Sequence, residues 1–213
     1  MRGVEKKITP KIATKTICLL AVLTATLTAA KTALAFFVPG IEIVTLLLIT
    51  YTLIFGWRRT MVVCLLFIAI EILIWGPFIW WIILYLIYWP ALVTVVAVLP
   101  RKWGRGRIVA AIVTGIVFTA LFGVLSTFIE VIFLMDGLRS GMFWRLYALR
   151  YLAGVIPMPP SFIPVFVIHV VNNAIVLPLL VPLLYKTLKR LGMGNNDTKK
   201  ETEIKTIDEQ SHI

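Results

Sequence analysis

Charged side chains are scarce in this sequence. Of its 213 residues only 15% are charged, 60% are hydrophobic, and the mean hydropathy is +0.97. Soluble globular chains carry about 25% charged residues, so this composition excludes that class and indicates an integral membrane protein. The alternation that marks a transmembrane β-barrel is also missing, and an open sheet cannot satisfy its backbone hydrogen bonds in lipid. The sequence therefore predicts an all-α membrane protein.

Cysteine and histidine are rare as well, with two residues of each. Cys18 and Cys64 are predicted near the cytoplasmic ends of their helices, in a reducing compartment, which indicates neither a disulfide nor a metal site. His169 is the single histidine in an apolar segment, too few for a histidine-rich metal centre. No His-Glu-x-x-His, Gly-x-Ser-x-Gly or Gly-x-x-x-x-Gly-Lys motif occurs. We therefore expect no enzyme activity, no metal or other cofactor, and no ATP site.

The apolar residues fall into six segments with short connections. A transmembrane helix needs about 20 mostly apolar residues, so each segment is a candidate span. We expect a six-transmembrane-helix bundle over residues 16–191, after a basic cytoplasmic N-terminus (1–15) and before a polar, disordered tail (192–213). The segments are 16–37, 41–56, 60–76, 77–99, 108–135 and 161–185.

Basic residues are distributed unevenly among the connections. They precede the first span and follow the second, fourth and sixth, whereas only the fifth connection, with Arg139, Arg145 and Arg150, departs from this pattern. Because Lys and Arg of short loops stay on the cytoplasmic side, both termini are predicted to be cytoplasmic. This topology accounts for the net charge of +11 without nucleic acid. The first segment also resembles a signal peptide, but Lys31 in the would-be cleavage region argues against cleavage.

Polar side chains inside the spans are predicted to cluster in the extracytoplasmic half of the membrane, and the other half contains no acid. An ionisable side chain at mid-membrane costs about 3 kcal/mol or more, so such a cluster indicates a pocket that opens to the outside. From a rise of 1.5 Å per residue, the expected positions are depths of roughly 7 to 14 Å for Lys31, Glu71, Glu130 and His169, the outer surface for Glu42, and near mid-membrane for Asn172 and Asn173.

Each of these residues also has a structural interpretation. Glu42 follows a Pro-Gly pair at a helix start, where a carboxylate caps the helix as well as it binds a ligand. The asparagines could bond neighbouring helices, at about 0.6 kcal/mol on average. Lys31 could form an internal ion pair with Glu42 or Glu71. Trp81, Tyr85 and Tyr88 share one face of the fourth helix. Trp81 could belong to the interfacial aromatic belt, whereas Tyr85 and Tyr88 lie deeper and indicate either core packing or a ligand wall.

Small side chains form a stripe along the first helix, where Ala21, Ala25 and Ala29 recur every four residues. Such a stripe lets a second helix approach closely, either within this bundle or from a partner protein. In the fifth connection, residues 143–151 mix aromatic and basic side chains, which predicts a surface helix that serves as part of a lid or as an interfacial anchor. Pro157, Pro159 and Pro160 are expected to stiffen the chain after it.

Four short stretches carry a resemblance to a known family. They are Lys31-Thr-Ala-Leu-Ala-Phe-Phe-Val-Pro39, Ile41-Glu-Ile-Val-Thr-Leu-Leu, the Phe55-Gly56 turn followed by basic residues, and His169-Val-Val-Asn-Asn-Ala174. In combination, over residues 13–191, they resemble the substrate-binding S component of energy-coupling factor (ECF) transporters. The resemblance implies a six-helix subunit of a prokaryotic cell membrane that captures a micronutrient, a vitamin or its precursor, from outside.

The resemblance also implies partners: a transmembrane coupling subunit, on which the alanine stripe docks, and two ATPase subunits. The substrate-binding residues expected from the polar cluster and the aromatic face are Glu42, Glu71, Trp81, Tyr85, Tyr88, Glu130, His169, Asn172 and Asn173. Acids beside aromatic walls favour a small planar ligand with a positive or hydrogen-bond-donating group, such as a thiamine-precursor, pyridoxamine-like or amino-acid-derived compound.

Two alternative functions stay open. One is a stand-alone proton-coupled carrier or channel, in which Glu71, Glu130 and His169 relay protons, and the other is a structural membrane partner without a ligand.

Overall fold

The computed structural model describes residues 10–37, 42–76, 79–133, 141–153 and 165–193, and all regular structure within them is helical. The all-α class is thereby confirmed. Each predicted span coincides with one helix, and the boundaries differ by a few residues. The elements are α1 (Pro10–Phe37), α2 (Val44–Phe55), α3 (Trp57–Trp75), α4 (Ile79–Val98), a 3₁₀ turn (Arg101–Trp103), α5 (Arg105–Phe133), α6 (Phe143–Ala153) and α7 (Val165–Arg190).

Four of the described helices are long and apolar enough to cross a membrane, within the segments Thr14–Leu34, Trp81–Val98, Arg105–Phe133 and Val167–Arg190. Their number and length indicate a multi-pass membrane protein. The helix α3 has 19 residues but carries Arg58, Arg59 and Glu71. The helix α2 has only 12 residues, or roughly 18 Å, against a hydrocarbon core of about 30 Å.

The short helix α2 lies at the centre of the bundle. It packs against α3, α4, α5 and α7, and ten of its residues are buried. A helix that is apolar on all sides is stable only when it is enclosed, which is how α2 sits here. The other long helices surround α2 in the order α1, α3, α4, α5, α7, each packed on the next. The ring is not closed, because the described parts of α1 and α7 do not pack on each other in the same way.

Side-chain contacts fix the directions of the helices. Lys31 near the end of α1 pairs with Glu71 near the end of α3, so α1 and α3 are parallel. Trp57 at the start of α3 donates its indole N–H to the Thr94 hydroxyl late in α4, at 3.2 Å, so these helices are antiparallel. The helices α1, α3 and α5 terminate at the same end of the bundle, which we call the far end. The opposite end, where α1 begins and α7 ends, is the terminal end.

The outer face of the ring is apolar. Large aliphatic side chains are exposed at intervals of four residues along α5 and α7, and similar residues are exposed on α1, α3 and α4. A water-soluble protein rarely exposes so much contiguous apolar surface, whereas a lipid-covered bundle requires it. The α7 members of this surface are Val167, Val171, Ile175, Leu179 and Leu183.

One close helix crossing depends on glycine. Gly115 of α5 is buried where α5 meets α2 and α7, and a Cβ atom there would lie 2.6 Å from Ile49 Cδ1 and 2.7 Å from Leu177 Cδ1. A side chain at this position would have to displace the two terminal methyl groups and would crowd Thr45 Cγ2 at 3.2 Å, so glycine suits this close approach of α5 to α2 and α7.

The predicted surface helix of the fifth connection is confirmed as α6. It packs on the far end of α5, with the rings of Phe143 and Phe128 5.5 Å apart, and Trp144 is 76% exposed. Other expectations lie outside the described residues: most of the basic N-terminus, the tail beyond Met193, and the stiffening by Pro157, Pro159 and Pro160.

Candidate functional site

The carboxylate of Glu42 is the hub of a polar cluster at the start of α2. It accepts a hydrogen bond from the Thr45 backbone N–H at 2.8 Å, and the Thr45 hydroxyl lies 2.9 and 3.1 Å from its two oxygens. The predicted capping role is therefore confirmed, because the first N–H groups of a helix have no partner inside the helix. The negative carboxylate also faces the positive end of the α2 dipole.

Glu42 lies at half the height of the bundle. Its Oε2 accepts a hydrogen bond at 2.8 Å from Asn173 Nδ2, which also donates to Thr119 Oγ1 at 2.7 Å. Thr119 is the middle residue of the 29-residue α5. The expectation that Glu42 lies at the outer surface is wrong, because α2 is too short to reach the far end and begins between the midpoints of its neighbours.

The two asparagines of α7 both reach Glu42. Asn172 Nδ2 donates to the backbone carbonyl of Glu42 at 3.2 Å, while Asn173 bonds the Glu42 carboxylate and the Thr119 hydroxyl. Asn173 is 0% exposed, and its Oδ1 has no hydrogen-bond partner among the described residues. The asparagines therefore link α7 to α5 and to the start of α2, as the structural interpretation expected. The Asn173 Oδ1 atom can still accept a hydrogen bond.

Tyr88 and His169 complete this polar cluster, which we call the central cluster. Its members are Glu42, Thr45, Tyr88, Thr119, His169, Asn172 and Asn173. The Tyr88 hydroxyl lies beside the hydroxyls of Thr45 and Thr119, and Tyr88 is the tenth of the 20 residues of α4. His169 lies within electrostatic range of Glu42, one helical turn from the asparagines. Its Nδ1 is buried without a hydrogen-bond partner in the part of the chain described here.

An aromatic ladder runs along α4 from the far end to the central cluster, and it includes all three predicted aromatic residues. The ring centroids of Trp81 and Tyr85 are 5.4 Å apart, those of Tyr85 and Trp89 5.9 Å, and those of Trp89 and Tyr88 4.6 Å. Phe67 of α3 stacks on Tyr85 at 6.4 Å with an interplanar angle of 18°. Tyr85 lies within electrostatic range of both Glu71 and Glu42.

The second acid forms an ion pair near the far end. Lys31 Nζ binds Glu71 Oε2, and the same ammonium group lies 4.8 Å from the centroid of the Trp75 ring. Of the two predicted partners of Lys31, Glu71 is confirmed. Glu71 is 5% exposed and Lys31 20%, so the pair is partly shielded from solvent. Glu71 Oε1 has no hydrogen-bond partner among the described residues, which leaves it open to one more donor.

Glu130 is separate from the central cluster. It is fully buried near the end of α5, eleven residues beyond Thr119, or roughly 16 Å along the helix. Ser126 and Thr127 are buried one turn before it. The predicted site residues thus fall into three groups: the central cluster, the far-end ion pair with the aromatic ladder, and Glu130.

Two residues of the central cluster, Thr45 and Thr119, were not among the predicted site residues. In apolar helices threonine hydroxyls usually bond the carbonyl four residues earlier, and Thr119 does so as well, donating to Gly115 O at 2.8 Å. The sequence shows nothing that separates Thr119 from such threonines. For Thr45, the signal available was its place in the first turn after Glu42, since the first N–H groups of a helix need partners outside the helix.

The alanine stripe of α1 faces away from the bundle. Ala21, Ala25 and Ala29 are all exposed, whereas Leu23 and Leu27 are buried. The stripe therefore takes no part in packing among the described helices. Within the same residues, no group of three or more His, Cys, Asp and Glu side chains is placed to hold a metal ion.

Comparisons of the chain with models of known protein families, with curated proteins and with solved structures find no significant match.

Proposed function

We propose that this protein is the substrate-capture subunit of an ATP-driven micronutrient importer, similar to the S component of ECF transporters. In this proposal α1, α2, α3, α4, α5 and α7 are the six membrane-inserted helices, and both termini are cytoplasmic. The far end then faces outward. The observation that carries the proposal is the Glu42 carboxylate, held at the centre of an apolar bundle by residues from α2 and α7.

The central cluster offers the chemistry that a small polar ligand needs. Glu42 supplies a negative charge, and Asn173 Oδ1 and His169 Nδ1 are buried atoms without hydrogen-bond partners among the described residues. The aromatic ladder adds flat walls that attract cations and stack on planar rings. A small planar compound with a positive or hydrogen-bond-donating group fits this combination, because most of its surface would contact rings and its polar group would meet Glu42.

The short α2 also explains how a ligand would reach Glu42. Because α2 begins halfway along the ring, it does not occupy the centre of the ring's far half. The side chains that border this half include Lys31, Glu71 and Tyr85, which are polar, and a broken helix end at mid-bundle is typical of transporter binding sites. A ligand that enters from the far end would pass the ion pair and the aromatic ladder before it meets Glu42.

The polar residues toward the terminal end differ in chemical type from those of the central cluster and the far end. In the described ranges, every acid and the one histidine lie at mid-height or toward the far end. Buried polar residues of α2 below Glu42 include Thr50 and Thr52, whose hydroxyls bond the Leu46 and Leu48 carbonyls at 2.8 and 2.7 Å. Such threonines offer no proton relay. This asymmetry supports capture followed by partner-driven release over a stand-alone proton-coupled carrier.

Ligand capture is tested by native mass spectrometry of the protein after gentle extraction from its own cells, since a tightly bound ligand survives purification. We expect a small molecule to co-purify with the wild type and to be lost from Glu42→Gln. The control is Thr94→Val, which removes an exposed hydroxyl of α4 far from Glu42. Equal amounts of the molecule in all three proteins, or none in the wild type, would contradict the assignment.

The coupling partner is tested on the exposed alanine stripe. Ala25→Leu adds bulk at the centre of the stripe, and we expect it to prevent co-purification of the transmembrane coupling subunit and the ATPases. Ala120→Leu makes the same change at an exposed alanine of α5 and should leave co-purification intact. Uptake of the co-purified molecule by liposomes that contain this protein alone would instead establish a carrier.

The orientation is tested by cysteine labelling in intact cells, in a variant with Cys18 and Cys64 replaced by alanine. A single cysteine at Lys15 or Met193 should resist a membrane-impermeant maleimide until the cells are opened. Labelling of either position from outside would reverse the bundle, so that the central cluster would open toward the cytoplasm and capture from outside would be excluded.

A further inference from the structure

A cavity of about 530 Å³ lies at the terminal end of the bundle, between the first turn of α5 and the last turns of α7. Its polar side chains are basic: Arg105 from α5, and Lys186, Lys189 and Arg190 from α7. This volume falls within the range of about 300 to 1,000 Å³ that is usual for ligand pockets. The cavity lies at the opposite end of the bundle from the far end and is not part of the central cluster.

The electrostatic field in this cavity is positive. The acids of the described residues are Glu42, Glu71 and Glu130, and all of them lie at mid-height or toward the far end. The N-terminus of α5 adds the positive end of a helix dipole. Arg107, one helical position from the cavity wall, interacts with Tyr185, and its Nε is buried without a hydrogen-bond partner among the described residues. An anionic group is therefore the occupant that the charges favour.

The remaining walls of the cavity are apolar. Ile108, Val109 and Pro182 line it, together with the ring of Tyr185, whose centroid lies 5.7 Å from Lys189 Nζ. From the cavity the apolar surface continues outward along both helices. Its next members, toward the far end, are the exposed residues Val113 and Val117 of α5 and Leu179 and Ile175 of α7. A ligand that satisfies both features carries an anionic head and long apolar chains.

We propose that this cavity binds the headgroup of an anionic phospholipid, with its acyl chains lying along the exposed faces of α5 and α7. Basic pockets between the ends of transmembrane helices are a recurring binding site for such headgroups, because each Lys or Arg gains favourable energy from the anionic phosphate. The site needs no assumption about the imported substrate, so it stands whether or not the proposed function holds.

The test is a lipid titration of the full-length protein in detergent, read by native mass spectrometry. Phosphatidylglycerol should bind at least about tenfold more tightly than phosphatidylcholine with the same acyl chains. The double variant Arg105→Gln/Lys189→Gln removes one charge from each side of the cavity and should weaken phosphatidylglycerol binding by about 30-fold. A second pair, Lys186→Gln/Arg190→Gln, should act in the same way.

The matched control is Lys15→Gln/Arg58→Gln, which removes the same charge from exposed positions at the same end of the bundle. It should change the affinity by less than about threefold. Equal weakening in control and cavity variants would overturn the proposal, since only general attraction would remain. Complete competition by glycerol phosphate at the lipid's own concentration would do so too, by showing a site for free phosphate esters.

The chain itself contains a competing occupant, because acidic residues follow α7 at Asp197, Glu201, Glu203, Asp208 and Glu209. Replacing all five by their amides in the full-length protein should leave lipid affinity unchanged. Tighter phosphatidylglycerol binding in that variant would identify the acidic tail as the resident occupant and would overturn the assignment to lipid.

Discussion

Gly115→Ala should destabilise the bundle at the junction of α2, α5 and α7. The new methyl group would lie 2.6 Å from Ile49 Cδ1 and 2.7 Å from Leu177 Cδ1, well inside van der Waals contact. Overpacking of this kind costs about 1 to 3 kcal/mol, and the better helix propensity of alanine returns up to about 1 kcal/mol. We expect a net loss of about 1 kcal/mol, or a decrease in Tm of roughly 2 to 4 °C for a chain of this length.

The consequence extends to the central cluster. The same methyl group would lie 3.2 Å from Thr45 Cγ2, so Thr45 must shift, and Thr45 is the residue that holds the Glu42 carboxylate. We therefore expect Gly115→Ala to retain less of the co-purified ligand than the wild type does, even below its Tm. A loss of stability with full ligand retention would show that the junction and the cluster are independent.

The assay is thermal unfolding of the detergent-purified protein, followed by tryptophan fluorescence. Gly106→Ala is the control, because its new Cβ would meet only Trp103 Cβ, at an ordinary 3.6 Å. It should leave the Tm unchanged or raise it. Ile49→Val removes the Cδ1 atom nearest the new methyl, so the double variant should lose less stability than the sum of the single changes, by about 0.5 to 1 kcal/mol. Additive effects, or an unaltered Tm in Gly115→Ala, would refute the close crossing.

The far-end ion pair and the central cluster give two more predictions. Lys31→Met leaves Glu71 buried without its cation and should destabilise the protein by about 2 kcal/mol, less than for a fully buried pair because Lys31 is partly exposed; adding Glu71→Gln should recover most of this loss in the same unfolding assay. Asn172→Ala and His169→Ala should each reduce the amount of co-purified ligand while Tm falls by only a few degrees, whereas unchanged ligand in both variants would leave these residues with a helix-packing role alone.

The sequence was sufficient to predict the helices because their signal is local. Each long apolar run is bounded by glycine, proline or charge, and α3 ends at Gly76, whose φ of +90° favours glycine. An ion pair of Lys31 was also predicted, with Glu42 and Glu71 as alternative partners, because a cation and an acid at similar depths in two helices have few other partners. Both inferences need only the order of residues along single helices.

The position of α2 within the bundle could not be predicted from the sequence of that helix alone. Residues 41–56 are apolar enough to be counted as a span, whereas α2 has only the 12 residues Val44–Phe55 and is enclosed by the surrounding helices. Depths counted from the loops placed Glu42 at a surface for that reason. Thr119 was missed because its role depends on which α7 residue lies opposite, and helix packing, not local pattern, decides that contact.

The polar residues of α7 follow from the place where α2 begins. A helix that starts inside an apolar bundle has backbone N–H groups without partners in the helix, and each group left unsatisfied in apolar surroundings is costly. Glu42 satisfies the Thr45 N–H, but this brings a carboxylate into the interior, which then needs donors of its own. Asn173 supplies one such donor, and Asn172 supports the chain at the Glu42 carbonyl.

Capping alone, however, does not account for the whole cluster. A cap would be complete with Glu42, Thr45 and one amide donor, whereas His169 is also placed near the carboxylate and the Asn173 Oδ1 stays without a described partner. A purely structural helix start would gain stability from replacing such surplus polar groups by apolar ones of similar shape. His169→Leu should therefore raise the Tm of the ligand-free protein in either case, whereas ligand retention should be lost in this variant only if the surplus groups bind a ligand.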